Sequence, residues 1–438
     1  MDRTIALISL GCAKNLVNSE QMLYLLDKAG YAIAPEPDGA DAVIINTCGF
    51  IDAAKTEAID TVLQMAELKA AGRIKKIIVT GCLTERYKAD FASELPEVDA
   101  VLGVGSFGDI VAAVESAFAG DRPQLFGDKN APVEDTPRIV STGPAWAYLR
   151  IAEGCDNFCA FCAIPYIRGR YRSRSMDSIV DEARDLAAHG VKELIVIAQD
   201  ITRYGTDLYG RRSLAELCRR LSDIEGVQWI RLHYLYPEAF DDELIDEIAS
   251  NPKIVKYLDI PIQHINDEIL KKMNRHTNGG EIRALFSKLR EKIPGLVLRT
   301  SLIAGLPGEG EDEFNELCAF LRSAKIERAG VFPYSPEDGT PAAKLKRVDS
   351  ETAQRRADLI MDIQAGIMDE FCAGLVGKTL AVLCESTDTQ TGGRRGRSYM
   401  DSPDIDGLVY FSGSCEAGDI VNVRINAVDD GNLIGEEI

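Results

Sequence analysis

Six of the eleven cysteines stand where thiolates could hold metal. Three fall in one short run, Cys155-x3-Cys159-x2-Cys162, directly after the strand-like stretch AYLRIAEG. Thiolates this close can fold round one metal centre, and iron–sulfur clusters are held by closely spaced Cys thiolates. The run offers three ligands rather than four. One iron of a 4Fe–4S cube would therefore stay open to a ligand from outside, as the open position of a catalytic zinc does. A Cys3His zinc site and three incidental buried thiols are the competing readings. The four histidines, His189, His233, His264 and His276, are all distant from the run in sequence.

The other three are spread out. Cys12 ends TIALISLGC, Cys48 ends DAVIINTC and Cys82 ends KKIIVTGC, at separations of 36 and 34 residues. Three parallel strands of the same polarity bring these ends to one edge of a sheet. Gly11, Gly49 and Gly81 adjoin the cysteines and permit tight turns there. A free cysteine is commonly just buried, but three in equivalent places point to a second three-thiolate cluster. The remaining five, Cys218, Cys318, Cys372, Cys384 and Cys415, lack ligand spacing and are expected to pack in helices or strands.

The elements that must position these thiols follow from the apolar pattern. TIALISL, DAVIINT and KKIIVT read as strands separated by the helices NSEQMLYLLDKAG and AAKTEAIDTVLQMAELKAAG, an order that implies a parallel sheet with helices on its faces. Residues 121–144, rich in Pro, Gly and Asp, have no periodicity and read as a linker. Six further strands then alternate with amphipathic helices such as SIVDEARDLAAHG, which suggests a parallel barrel or partial barrel whose site lies in the loops after the strands. The helix SETAQRRADLIMDIQAGIMDEF follows. The tail then changes to five short strands, KTLAVLCE, SYMDSP, GLVYFSG, DIVNVRINAV and NLIGEE, which read as a small antiparallel barrel or sandwich. The expected fold is α/β, with an N-terminal parallel α/β domain over 1–120, the linker, a partial (β/α)6 barrel with a connecting helix over 145–372, and a small antiparallel β-barrel over 373–438.

Composition sets outer limits. Of 438 residues 46% are hydrophobic and 27% charged, which excludes wholesale disorder. No apolar run approaches the ~20 residues that span a bilayer. The six-residue run IALISL before Cys12 falls short of the roughly 7–15 of a secretory leader, so a cytoplasmic protein with reduced thiols is expected. The net charge is −20, from 49 basic and 69 acidic residues, and argues against a nonspecific binder of phosphate backbone.

The Cys155–Cys162 motif with its six repeats resembles the radical S-adenosylmethionine superfamily. With the three-cysteine N-terminal domain and the β tail, the whole chain resembles the methylthiotransferase family. That resemblance implies that Cys155, Cys159 and Cys162 hold a 4Fe–4S cluster whose open iron takes the methionine moiety of S-adenosylmethionine. Reductive cleavage then yields a 5′-deoxyadenosyl radical. It implies that Cys12, Cys48 and Cys82 hold a second 4Fe–4S cluster that carries or donates the sulfur, and that the tail is a substrate-engaging TRAM domain. Phe161 is expected near the adenine. Gln199, Arg299 and the turn Gly305–Glu309 are expected at strand ends where S-adenosylmethionine is contacted, although each residue could equally be structural. An electron donor such as flavodoxin or ferredoxin is implied, and no membrane partner.

Two branches of the family differ in substrate. The segments LGCAKNLVNSE, AQDITRYGTDLYG, YLDIPIQHINDEILKKMNR and GRSYMDSPDIDGLVY resemble the branch that modifies an aspartate β-carbon of ribosomal small-subunit protein twelve rather than the one that modifies transfer-RNA adenosine. Charge is an independent guide. From Ala373 on there are five basic and eleven acidic residues, a net of −6. RNA-binding domains are basic because phosphate contacts dominate affinity, whereas an acidic tail suits a basic protein. The stretch GGRRGR at 392–397 is a local counter-signal, and a merely solvated acidic face remains the plain alternative. Transfer-RNA methylthiolation, and a non-enzymatic iron–sulfur carrier, are the readings to be tested against.

Overall fold

The computed structural model describes residues 3–388 and 392–438, apart from the side chain of Ala89. The chain forms two compact units. The first comprises the described residues as far as Ser141 together with Ala152–Arg174 and Ser335–Ala343; the second comprises Thr142–Ile151, Ser175–Tyr334 and the described residues from Lys344 on. Among the described residues no helix is long and apolar enough to cross a membrane.

The first unit is built on six parallel strands: β1 (Thr4–Ser9), β2 (Ala32–Ile33), β3 (Ala42–Thr47), β4 (Lys76–Gly81), β5 (Ala100–Leu102) and β6 (Gln124–Leu125). Their spatial order is β2-β1-β3-β4-β5-β6. Alternate residues of the central strands supply two cores, as a sheet covered on both faces requires. Val43, Ile45, Ile77 and Val79 pack with Ala58, Val62 and Met65 of α2 (Asp52–Ala70) and Leu83 and Phe91 of α3 (Cys82–Glu94). Ala42, Ile44 and Ile78 face the other way, onto Met22 and Leu26 of α1 (Ala13–Lys28) and Ile110, Ala113 and Val114 of α4 (Ile110–Ala119). The stretch expected as linker supplies β6 and then runs beside α1, where the Ile139 amide donates to the Glu20 carbonyl at 3.1 Å and the Ser141 amide to the Glu20 carboxylate at 2.7 Å.

The second unit opens with β7 (Trp146–Arg150). The chain then crosses into the first unit, where β8 (Ala152–Glu153) and β9 (Arg172–Ser173) pair antiparallel around the loop that carries the three-cysteine run and the short helix α5 (Ile164–Arg168). Back in the second unit, β10 (Glu193–Ile197), β11 (Trp229–Leu232), β12 (Ile254–Asp259), β13 (Val297–Ala304) and β14 (Arg328–Pro333) follow. With β7 they form one parallel sheet in strict sequence order, β7 at one edge and β14 at the other. This is the winding of a partial barrel, with a helix after each strand.

The tail closes into a five-stranded barrel of β15 (Thr379–Thr387), β16 (Arg394–Ser398), β17 (Val409–Ser412), β18 (Ile420–Asp429) and β19 (Asn432–Glu437), in the ring order β15-β16-β17-β19-β18. Four of the pairings are antiparallel, and β17–β19 is parallel. Strand direction cannot alternate all the way round an odd ring, so one parallel pairing is obligatory. The second strand lies earlier than SYMDSP: it is the basic stretch itself, Arg394–Ser398, and the residues after it turn. Within it Arg395 is exposed while Arg397, two residues on, is fully buried, held inside by its ion pairs. Arg397 donates to Glu193 at 2.7 Å and to Glu385 at 2.6 Å. The Arg231 guanidinium reaches the Tyr399 carbonyl at 2.9 Å, Arg328 reaches Asp401 at 2.9 Å, and the Tyr257 hydroxyl donates to Asp406 at 2.6 Å. Glu193 and Arg328 are the first residues of β10 and β14, so the small barrel docks at the end of the parallel sheet opposite the strand C-termini.

Candidate metal centres

The N-terminal cysteines meet because three parallel strands end in register. Ser9 pairs with Asn46, Asn46 with Thr80, and Thr47 with Gly81, so Cys48 and Cys82 each follow directly on paired residues and Cys12 lies just beyond. Each thiol then stands at the head of a helix. Cys12 caps α1, Cys82 is the first residue of α3, and Cys48 precedes α2 by a short turn. Helix N-termini favour negative charge and thiolate character. Gly81 makes the turn between β4 and Cys82 at φ +108°, and a Cβ there would come within 2.4 Å of the Thr47 carbonyl oxygen.

Buried polar side chains fix the three ends. The Asn15 amide donates at 2.9 Å to both the Leu10 and the Thr47 carbonyls, tying the exits of β1 and β3. Asn46 donates to the Asn15 carbonyl and to Ser19, each at 2.9 Å. Cys82 is buried, Cys48 half-buried and Cys12 exposed, so the group presents one open side. Burial pushes the Cys48 thiol up to about 12, and the neighbouring Cys82 and Cys12 add to it. Burial also raises Cys82, against the pull of Arg168. Desolvation opposes ionisation of Cys12 as well, but the charges of Lys14 and Arg168 outweigh it and hold that thiol below its ordinary range.

The second group is carried by the loop between β8 and β9. Cys155 and Cys159 are buried and Cys162 is half-buried. The Cys155 amide donates to the Gly169 carbonyl at 3.1 Å, and the Asn157 amide donates to the Cys155 sulfur at 3.5 Å. Phe158, between the first two cysteines, takes a left-handed φ of +47° and packs edge-on against Tyr166. Ala163 and Ile167, one and five residues past Cys162, pack with Cys82 in one small core. The two groups of cysteines therefore belong to one compact unit and share a wall.

Arg168 completes that wall, and no sequence pattern announced it. Its buried guanidinium lies with Nε 3.4 Å from the Cys82 sulfur and Nη1 2.9 Å from Glu153 and 3.2 Å from Asn18, with Nη2 donating to Asn15. Its partners lie up to about 150 residues away in sequence, which is why spacing alone does not expose it.

Among the described residues no three of His, Cys, Asp and Glu are gathered tightly enough for a single metal ion. The donor set is that of an iron–sulfur cluster, whose thiolates each bind a different iron. Each group offers three thiols, and bound metal would ionise Cys48 and Cys82, whose thiols burial pushes up.

The remaining expected residues are scattered. Phe161 is half-buried in the motif loop, and Gln199 is half-buried two residues past β10. Gly305 directly follows β13 at φ +78°, where a Cβ would meet that of Ala353 at 2.4 Å. Its smallness thus already serves the packing of the helix Ser350–Ala373. The turn after it is closed by Glu309, which accepts from the Gly305 amide at 2.9 Å and from Arg356 at 2.8 Å. Arg299 is not at a strand end. It is the third residue of β13, with its guanidinium 2.7 Å from Asp259. Burial works against its charge, but Asp259 and Asp406 outweigh it and hold the guanidinium charged. LVLRTSLIAG forms one long strand ending at Ala304, which places Arg299 near its start.

A parallel six-stranded partial barrel with a three-cysteine first loop defines a radical S-adenosylmethionine enzyme. Residues 149–321 match the Radical SAM superfamily, residues 4–103 the Uncharacterized protein family UPF0004, and residues 376–438 the TRAM domain. The fold is similar to that of the radical S-adenosylmethionine methyltransferase TsrM from Kitasatospora setae, solved with cobalamin and a 4Fe–4S cluster bound, at a TM-score of 0.57 and 14% identity over 87% of this chain and 81% of that one. Among curated proteins the chain is 46% identical to the ribosomal protein uS12 methylthiotransferase RimO of Acetivibrio thermocellus, over 100% of this chain and 99% of that protein. It is 48% identical to the protein of the same name from Caldanaerobacter subterraneus subsp. tengcongensis, over 99% and 100%. The chain belongs to the family of ribosomal protein uS12 methylthiotransferases, RimO.

Proposed function

We infer that this protein places a methylthio group on the β-carbon of an aspartate in ribosomal protein uS12, using two 4Fe–4S clusters and S-adenosylmethionine. The observation that carries this reading is the gathering of two groups of three cysteines into one unit. Cys155, Cys159 and Cys162 would hold one cluster and Cys12, Cys48 and Cys82 the other. When bound, the first supplies reductive cleavage of S-adenosylmethionine and the second the sulfur to be transferred. The chain's own residues hold the thiols in place: Asn15 and Asn46 fix the strand exits, and the turn at Gly81 sets Cys82 beside Cys48. Phe161, Gln199 and Gly305 remain candidates for contact with S-adenosylmethionine, each on its own position in the fold.

A protein substrate is supported by how the bases of the tail are spent. Arg397 is buried against Glu193 and Glu385, Arg424 pairs with Glu436, and Arg394 donates to the Cys415 carbonyl. Two of the tail's five bases are thus neutralised by carboxylates, in a segment whose net charge of −6 disfavours phosphates. A cytoplasmic setting, supported by eleven free cysteines, and a one-electron donor of the flavodoxin or ferredoxin class complete the proposal. The test supplies reconstituted enzyme, dithionite and S-adenosylmethionine with purified uS12 or with purified transfer RNA. A methylthio mass gain on uS12 is expected; modified adenosine alone would overturn the substrate. Absence of 5′-deoxyadenosine from both mixtures would favour an iron–sulfur carrier.

A further inference from the structure

Arg168 sits six residues past Cys162, yet its guanidinium is spent on the other group of cysteines. Four groups face it: the Cys82 sulfur at 3.4 Å, Asn18 at 3.2 Å, Glu153 at 2.9 Å, and Asn15. Asn15 is the same residue that ties Leu10 to Thr47, so the fork of one guanidinium grips both a thiol and the residue that fixes the other two strand exits. Glu153 stands two residues before Cys155 and gives Arg168 its countercharge from inside the motif loop. A buried arginine is costly unless each partner is in place, so this arrangement persists only while loop and strand exits stay together.

We propose that Arg168 is a positioning residue that ties the Cys155–Cys162 loop to the Cys12/Cys48/Cys82 site and raises the reduction potential of the cluster held there. The inference rests on the two-cluster reading above. Its physical basis is simple. A reduced cluster carries one more negative charge, and an N–H donor with positive charge at its thiolate stabilises that form. Glu153 offsets part of the charge but leaves the N–H···S contact intact. A guanidinium does this better than an ammonium, because its planar fork serves Cys82, Asn15 and Asn18 at once.

The test is a potentiometric titration of the full-length, reconstituted enzyme followed by electron paramagnetic resonance. The N-terminal couple is identified as the one absent from a C12A/C48A/C82A chain. Arg168→Gln is expected to make reduction of that cluster about tenfold less favourable, a shift of ~59 mV to more negative potential for one electron. The couple of the Cys155/Cys159/Cys162 cluster should move less. Arg168→Lys should give a smaller shift of the same sign, and it carries the measurement if Arg168→Gln fails to fold or to load iron. An N-terminal couple unmoved in the variant measured overturns the proposal alone. A wild-type chain with a single couple overturns the two-cluster reading, and this proposal with it.

Discussion

Arg397 of the small barrel donates to Glu193, the first residue of β10, at 2.7 Å, and both side chains are fully buried. Glu193 also accepts from Arg231 at 2.6 Å, so one carboxylate is shared by two buried guanidiniums, with Glu385 completing the pairing of Arg397. Glu193→Gln takes the carboxylate from Arg231 and leaves Arg397 with Glu385, and should cost about 3–5 kcal/mol. Arg397→Met leaves Glu193 paired with Arg231 and should cost less. Urea unfolding followed by circular dichroism ranks the two, and equal costs would contradict the shared-carboxylate picture.

The same carboxylate sets an acid limit. Burial works against the ionised form, but Arg231 and Arg397 outweigh it and hold Glu193 below the usual glutamate range. Its folded value is thus depressed relative to the unfolded chain. The stability it contributes is complete above the ordinary glutamate range and drains away as pH falls through the folded value. Burial raises Asp406 instead, so its contribution has the opposite sign and is lost as pH rises above the ordinary aspartate range. Unfolding midpoints measured across the acid range should fall less steeply for Glu193→Gln than for the natural chain.

Iron content separates the two thiol groups. Replacing Cys12, Cys48 and Cys82 by Ala should lower reconstituted iron from about eight to about four atoms per chain while 5′-deoxyadenosine is still formed. Replacing Cys155, Cys159 and Cys162 should lower iron equally and abolish that product. Iron assay and chromatography of the nucleoside products read both outcomes.

Two glycines of positive φ should respond differently. A Cβ at Gly30 has nothing within 4 Å, so Gly30→Ala should cost about 1 kcal/mol from backbone strain alone. Gly81→Ala adds a clash with the Thr47 carbonyl and should cost more. It should also reduce iron at the N-terminal site, because the turn it distorts places Cys82. Thermal unfolding and iron content of the two variants check this.

How much of the fold and site is legible in the sequence depends on how local each signal is. The meeting of Cys12, Cys48 and Cys82 was legible because three similar strands end in three similar Gly–Cys or Cys–Gly steps, and parallel register does the rest. The six repeats were legible for the same reason. The strand at Arg394–Ser398 was not, since a run of arginines looks solvated until Glu193, some 200 residues earlier, draws one of them inside. Arg299 was displaced because an apolar run shows where a strand lies but not how far it continues past a polar residue. Arg168 was invisible because every partner but Glu153 comes from another part of the chain.

The odd ring of the tail has a consequence for how that domain forms. Hairpin pairing can join β15 to β16, β16 to β17 and β18 to β19, but the ring closes only when β19 slots between β17 and β18. Asn432–Glu437 therefore acts as a keystone. Until it is seated, β17 and β18 each keep an unpaired edge of the kind that recruits other strands, and clipping those six residues should convert a closed barrel into a sticky open sheet.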